Sequence, residues 1–200
     1  MSLPQTAFFT PNEYLLFERS TDARHEYLDG HVYAMAGESL EHSRICVNVG
    51  GELRAGLKGR ACEVLSPNMK VVTSPAGLFG YPDVIVVCGS PQFHDERRDV
   101  LVNPTIIFEV LSPSTEAYDR GEKFLRYRTQ IATLEEYVLI SQHRPLVEHF
   151  VRQPDGSWSY SSVSGSSESL NLPSINCRLP LAEIYDRVIF PSGVGGGEEL

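Results

Sequence analysis

A glutamate stands inside a run of core-type residues, Ile106-Ile107-Phe108-Glu109-Val110-Leu111. Apolar neighbours on both faces mark a central strand buried on both sides. A lone carboxylate there is costly unless it is paired, protonated or bound to a metal. Earlier in the chain, Tyr81-Pro82-Asp83 opens another apolar run, Val84-Ile85-Val86-Val87. If these two strands pair antiparallel, the start of one meets the end of the other and the carboxylates of Asp83 and Glu109 converge. One or two carboxylates, completed by water and substrate phosphate, suffice to hold Mg²⁺, and a metal so held activates water for attack on a phosphodiester. That reaction also needs positive charge beside the developing oxyanion. Lys123 is the candidate, because Asp119, Lys123 and Tyr127 recur every four residues and share one face of a helix. The same residues also fit quieter roles. Pro-Asp is ordinary turn chemistry, a buried glutamate can be met by arginine, and Asp119 with Lys123 makes a common surface ion pair.

The elements that must position these groups follow from pattern. Thr10-Pro11-Asn12-Glu13 is a capped helix start. Asp29-Gly30 between two short strand-like runs predicts a hairpin with a type I′ turn. Alternation in the first of those strands puts Glu26 and Leu28 on one face, His25 and Tyr27 on the other. Ile45, Val49, Leu53 and Leu57 predict an amphipathic helix over Ser39–Lys58. Gly50-Gly51 in its middle calls for compensation by close packing. A helix over Glu116–Thr129 is to be fixed by Phe124, Leu125 and Ile131. Glu136–Ser141 reads as a further strand, and the hairpin around Gln153-Pro154-Asp155-Gly156 as an antiparallel C-terminal addition whose packing includes Trp158. Ile175–Leu179 predicts one more strand and Pro180–Tyr185 a short helix. The fold class is α/β in the broad α+β sense: a mixed central sheet flanked by helices, with an N-terminal helix and hairpin and extra C-terminal antiparallel strands.

The chain has 200 residues, 42% of them hydrophobic and 22% charged, which suits one domain over 1–190 and excludes wholesale disorder. The Gly-rich stretch 191–200 reads as a disordered tail. No apolar run reaches membrane-spanning length, and Met1–Thr6 carries no signal peptide, so no membrane partner and a cytoplasmic location are expected. Cys46, Cys62, Cys88 and Cys177 form no C-x-x-C pair and are expected to be reduced thiols. The net charge of −9 weighs against tight non-specific binding of nucleic acid by a lone subunit. His25, His31, His94, His143 and His149 show no metal-ligand spacing and are expected at the surface.

The series Arg24-His25-Glu26-Tyr27-Leu28-Asp29-Gly30, His42, Tyr81-Pro82-Asp83-Val84, Phe108-Glu109-Val110-Leu111-Ser112-Pro113-Ser114-Thr115, Asp119 through Lys123 and Tyr127, then Glu136-Tyr137, resembles the Uma-two family. These are restriction-endonuclease-type proteins of prokaryotes within the PD-(D/E)XK nuclease superfamily. The resemblance covers about Thr10 to Tyr185. It implies a restriction-endonuclease-like core with Asp83 and Glu109 as metal ligands. The superfamily places its lysine two residues after the second acid, where this chain has Leu111; the resemblance implies that the lysine has moved to the next helix, at Lys123, with Lys70 a weaker substitute. A first-helix acid often completes such sites; here the long helix offers His42, with Glu38 and Glu41 nearby, and the hairpin offers Glu26, so Glu26 and His42 are secondary candidates, although a salt bridge of Glu26 with Arg24 or another base fits equally and a merely buried His42 fits better.

Two functions are therefore expected to compete, with metal-dependent hydrolysis of another phosphate-containing substrate as a third reading. One is a Mg²⁺- or Mn²⁺-dependent endonuclease acting on DNA as a homodimer, which brings the Arg120–Arg128 helix or Arg97-Arg98 to the substrate. The other is a catalytically inactive binding or scaffold protein on a nuclease fold.

Overall fold

The structure is a computed structural model that describes residues 8–191. The leader expectation on Met1–Thr6 and all of the tail expectation beyond Pro191 lie outside the described residues.

Helix α1 (Pro11–Glu18) begins with the expected capping box: Thr10 Oγ1 accepts the Glu13 N–H at 3.3 Å, and the Glu13 carboxylate accepts from Thr10 N at 2.8 Å. Strands β1 (His25–Leu28) and β2 (His31–Ala34) form the hairpin, with Asp29 and Gly30 at φ 48° and 89°, the positive values a type I′ turn requires. Helix α2 (Leu40–Gly56) starts on Ser39, whose Oγ accepts the His42 N–H at 3.1 Å. Then come β3 (Cys62–Leu65), β4 (Lys70–Val72), β5 (Phe79–Gly80), β6 (Val84–Cys88), β7 (Val100–Leu101) and β8 (Ile106–Leu111). One helical turn, α3 (Glu116–Tyr118), runs into a π-helical turn over Asp119–Lys123 and then α4 (Phe124–Gln130). The chain ends in β9 (Glu136–Ser141), β10 (Leu146–Arg152), β11 (Trp158–Ser164), β12 (Ser169–Leu172), β13 (Cys177–Pro180) and α5 (Leu181–Ile184).

The main sheet has six strands in the order β11-β10-β9-β8-β6-β3. It is mixed: β6 and β8 pair antiparallel through Val84↔Phe108, Ile85↔Ile107 and Val86↔Ile106, while β8 and β9 are parallel. Ile45, Val49 and Leu53 of α2 cover one face, against Val84, Val86, Ile106, Phe108 and Val110. Phe124, Tyr127 and Ile131 cover the other, against Ile85, Val87, Ile107 and Leu111. Both faces being covered is why β6 and β8 read as unbroken apolar runs. Each such aliphatic side chain contributes about 1.5–3 kcal/mol of burial. A second sheet, β2-β1-β5-β4-β7, sits with α1 on Tyr14, Leu15, Tyr27, Val72, Phe79 and Val100. Strands β12 and β13 form a separate pair. Among the described residues no helix is long and apolar enough to cross a membrane.

Several expectations change. The helix after Glu109 is not one continuous α-helix but is interrupted by the π turn. Leu125 is 43% exposed, so Phe124 and Ile131 fix that segment without it. A Cβ at Gly50 or Gly51 would meet nothing within 4 Å, so close packing does not explain either glycine. Cys62 and Cys88 are not free thiols: the β3–β6 register sets them opposite one another with Cα atoms 4.0 Å apart, and they form a disulfide. The reduced-thiol expectation therefore holds only for Cys46 and Cys177. His149 is buried, not superficial, because its Nε2 meets the fully buried Glu136 carboxylate, which Ser174 N also caps at 2.7 Å.

Candidate functional site

Extending the β6–β8 register by one residue sets Asp83 opposite Glu109. The link is reinforced by the Asp83 side chain, whose Oδ2 accepts the Val110 N–H at 2.7 Å. Glu109 is 3% exposed and points to the face covered by α4. From that side the π turn delivers Lys123, itself 4% exposed. Its Nζ lies 3.0 Å from Glu109 Oε1, 3.1 Å from Glu26 Oε1 and 3.6 Å from Asp119 Oδ1. Glu26 reaches in from β1 and is held by the Tyr81 N–H at 3.1 Å. The hairpin, strand β8 and the π turn thus meet at one ammonium. Single-turn π segments are frequent at functional sites because they re-aim side chains within a helix.

Burial raises the Glu109 carboxyl well above its usual range; Lys123 pulls it down, and Asp119, Asp83 and Glu26 push it further up. Burial also works against the charge on Lys123, but Glu109, Glu26, Tyr127 and Asp119 outweigh it and hold the ammonium well above its usual range. The two directions are compatible, since one ammonium cannot neutralise three carboxylates. The excess negative charge raises Asp119 as well, burial being the first cause. Glu109 Oε1 is sealed from solvent, and although Lys123 lies at ion-pair distance no donor is aligned on it as a hydrogen bond. Tyr127 Oη is likewise buried without a partner. Glu109 Oε1, sealed beside surplus negative charge, and the Asp83 carboxylate across the β6–β8 register are the oxygen donors a hard divalent cation takes, and such an ion would share them with Lys123, with His42 at Asp83 Oδ1 and with the Val110 N–H at Oδ2.

His42 approaches Asp83 from α2. Its Nε2 lies 3.0 Å from Asp83 Oδ1 and 3.8 Å from Glu38 Oε2. Burial lowers the imidazole pKa, but the bond to Asp83 and the charges of Asp83, Glu38 and Asp119 raise it overall. The five candidates thus fall into two touching groups. Lys123 joins Glu26 and Glu109, and His42 joins Asp83. Asp119 completes the first group.

Other candidates lie elsewhere. Lys70 is spent on Asp99 at 3.1 Å and on the face of Tyr81, not on Glu109. Arg24 donates to Pro67 O, leaving Glu26 to Lys123. Arg120 pairs with Glu116 and Glu148, and Arg126 with Glu122 and Asp29. Gly80 bears directly on the site: a Cβ there would come 2.8 Å from Tyr127 Oη and 3.2 Å from Glu26 Oε1. No local pattern announces Gly80, since the contact depends on three distant elements. Cys46 has one sequence sign: Glu38, His42 and Cys46 recur every four residues.

The sequence model of the Uma2 family, described as "Putative restriction endonuclease", matches residues 11–182. Uncharacterized protein sll1609 of Synechocystis sp. (strain PCC 6803) is 32% identical over 170 residues, 85% of this chain and 96% of that protein. Uncharacterized protein slr1290 of the same organism is 34% identical over 182 residues, 90% of this chain and 93% of that protein. The fold is similar to a crystal structure described as "a putative nuclease belonging to DUF820", from Anabaena variabilis ATCC 29413. The TM-score is 0.74 at 17% identity, covering 90% of this chain and 99% of that one.

Proposed function

The chain belongs to the Uma2 family of restriction-endonuclease type, and from that premise we propose that it is a divalent-metal-dependent endonuclease that hydrolyses phosphodiester bonds in DNA. The observation that carries this reading is Lys123 Nζ at 3.0 Å from Glu109 Oε1, on a strand whose next amide binds Asp83. Asp83 and Glu109 are the residues that would hold Mg²⁺ or Mn²⁺. Such an ion supplies an activated water and offsets charge on the phosphate. Lys123 keeps its proton because carboxylates surround it, and it offers that N–H to the attacking oxygen or to a phosphate oxygen. Glu26 fixes the lysine from β1. His42 holds Asp83 in place through Oδ1.

With a net charge of −9, one copy is repelled by DNA. Arg97, Arg98 and Arg128 are exposed and have no acidic partner among the described residues. A homodimer would double that basic surface and supply one site per strand. The second reading, an inactive scaffold, draws on the engagement of Lys123 by three carboxylates and on the paired Arg120 and Arg126.

The test is incubation of the full chain with supercoiled and linear DNA in Mg²⁺, Mn²⁺ or EDTA. Nicking that needs the metal and disappears in Asp83→Asn, Glu109→Gln and Lys123→Met is expected. No cleavage, with no Mg²⁺ or Mn²⁺ binding by calorimetry, overturns the reading in favour of the scaffold.

A further inference from the structure

The lining of a groove beside α2 includes Glu38, Cys46, Gly50, Arg54, Val64 and Asp83. It lies next to the Lys123 cluster but is built from different chemistry. Glu38, just before the Ser39 cap, and His42 and Cys46 on α2 follow one another at four-residue spacing, so they stack on one side of the helix. One carboxylate oxygen, one imidazole nitrogen and the Cys46 sulfur all lie within 4.8 Å of one another. Zinc bonds of about 2.0–2.3 Å put tetrahedral ligands roughly 3.3–3.8 Å apart, so small rotamer changes close the set. Asp83 Oδ1, 3.0 Å from His42 Nε2, holds that nitrogen, so Nδ1 is the nitrogen left for a metal, as where a carboxylate fixes a ligating histidine from its other side. Open space at Gly50 leaves the groove accessible. Cys46 is half-buried, and its disulfide-forming counterparts lie elsewhere, in the Cys62–Cys88 pair.

We propose that Glu38, His42 and Cys46 form a second cation site, which takes a thiophilic divalent ion such as Zn²⁺ and leaves a fourth position to solvent. Sulfur and imidazole nitrogen select against Mg²⁺ and Ca²⁺, so this site is distinct in preference from the all-oxygen pair Asp83–Glu109. Binding exchanges the thiol proton for the metal: the S–H proton goes to solvent as the sulfur–metal bond forms, and no redox partner is needed. The site does not depend on the chain cutting DNA.

Titration of the full chain with Co²⁺, a spectroscopic stand-in for Zn²⁺, decides it. An intense sulfur-to-cobalt charge-transfer absorption that saturates at one Co²⁺ per chain is expected, any Co²⁺ held by the all-oxygen pair adding none to it. Cys46→Ser abolishes that absorption, and Glu38→Gln and His42→Gln weaken binding about tenfold or more. Zn²⁺ bleaches the signal by competition. Cys177→Ser and Glu109→Gln leave the spectrum intact, the latter separating this site from the proposed catalytic metal. Absence of the charge-transfer band in the unsubstituted chain overturns the proposal, whatever the variants' folding. Its persistence in Cys46→Ser, or in Cys46→Ala should the serine variant not fold, does so too.

Discussion

Lys123 Nζ and Glu109 Oε1 stand 3.0 Å apart, although one belongs to a π turn and the other to the strand before it. Leu111, two residues after Glu109 on the same face of β8, is 3% exposed and belongs to the same apolar cluster as Phe124. A charge borne by the strand at that position would have to be buried in apolar contacts. Delivered from the π turn, it reaches the same carboxylate while Leu111 completes the core.

Replacing that lysine tests the relationship directly. Lys123→Met leaves Glu109, Glu26 and Asp119 facing one another without their shared cation. Loss of one partner from a buried ionic group costs about 3–5 kcal/mol, measurable as a lower urea midpoint at unchanged slope. Adding Glu109→Gln removes one surplus charge and restores part of the loss. A cost below about 1 kcal/mol, typical of exposed pairs, is incompatible with the buried cluster.

Gly80 and Tyr127 should be coupled. The Cβ of Gly80→Ala would lie 2.8 Å from Tyr127 Oη, and Tyr127 is fully buried and cannot swing away. Overpacking of this kind costs about 1–3 kcal/mol. Tyr127→Phe deletes a hydroxyl that has no partner, so alone it is expected to be near neutral or stabilising. In that background Gly80→Ala should lose most of its cost. Thermal denaturation of the four proteins gives the coupling, and purely additive melting shifts would contradict the contact.

Much of this arrangement was legible in the residues. Double-sided burial makes β6 and β8 continuous apolar runs, and their antiparallel register follows once Asp83 and Glu109 are asked to meet. Asp29-Gly30 announced its hairpin through backbone chemistry alone. What escaped depends on partners distant in sequence. Strands β5 and β7 are two residues each and carry no period. Asp119, Lys123 and Tyr127 show the same spacing whether the turn between them is α or π. His149 becomes a core residue only because β10 brings it to Glu136, and Cys62 meets Cys88 only through a strand register.

The Cys62–Cys88 bridge closes a separation of 26 residues, which in the chain-entropy account stabilises by about 3.5 kcal/mol. Reductant is expected to lower the unfolding midpoint of the unsubstituted chain to that of Cys62→Ala/Cys88→Ala, and to leave the double variant unmoved. Equal midpoints with and without reductant, with mass-shift labelling under denaturant giving four free thiols in reductant and two without it, would show that the bridge does not stabilise the fold.

Acid stability should respond to a second ionic cluster, built on Asp99. Asp99 receives Arg19 at 2.6 Å and Lys70 at 3.1 Å. Burial alone would raise its pKa, but the hydrogen bonds from Arg19 and Lys70 prevail and lower it from 3.8 to about 2. The folded state therefore binds this proton less readily than the unfolded chain. Its stabilisation is complete above the unfolded value, near pH 4, and disappears as pH falls through about 2. Partial exposure of the carboxylate discounts the effect to about 1–2 kcal/mol. Asp99→Asn should flatten the fall of denaturation midpoint between pH 4 and 2 relative to the unsubstituted chain, while differing from it most at neutral pH. Parallel pH profiles for the two proteins would mean that Asp99 titrates alike folded and unfolded, and that its ion pairs do not hold the second sheet to α1.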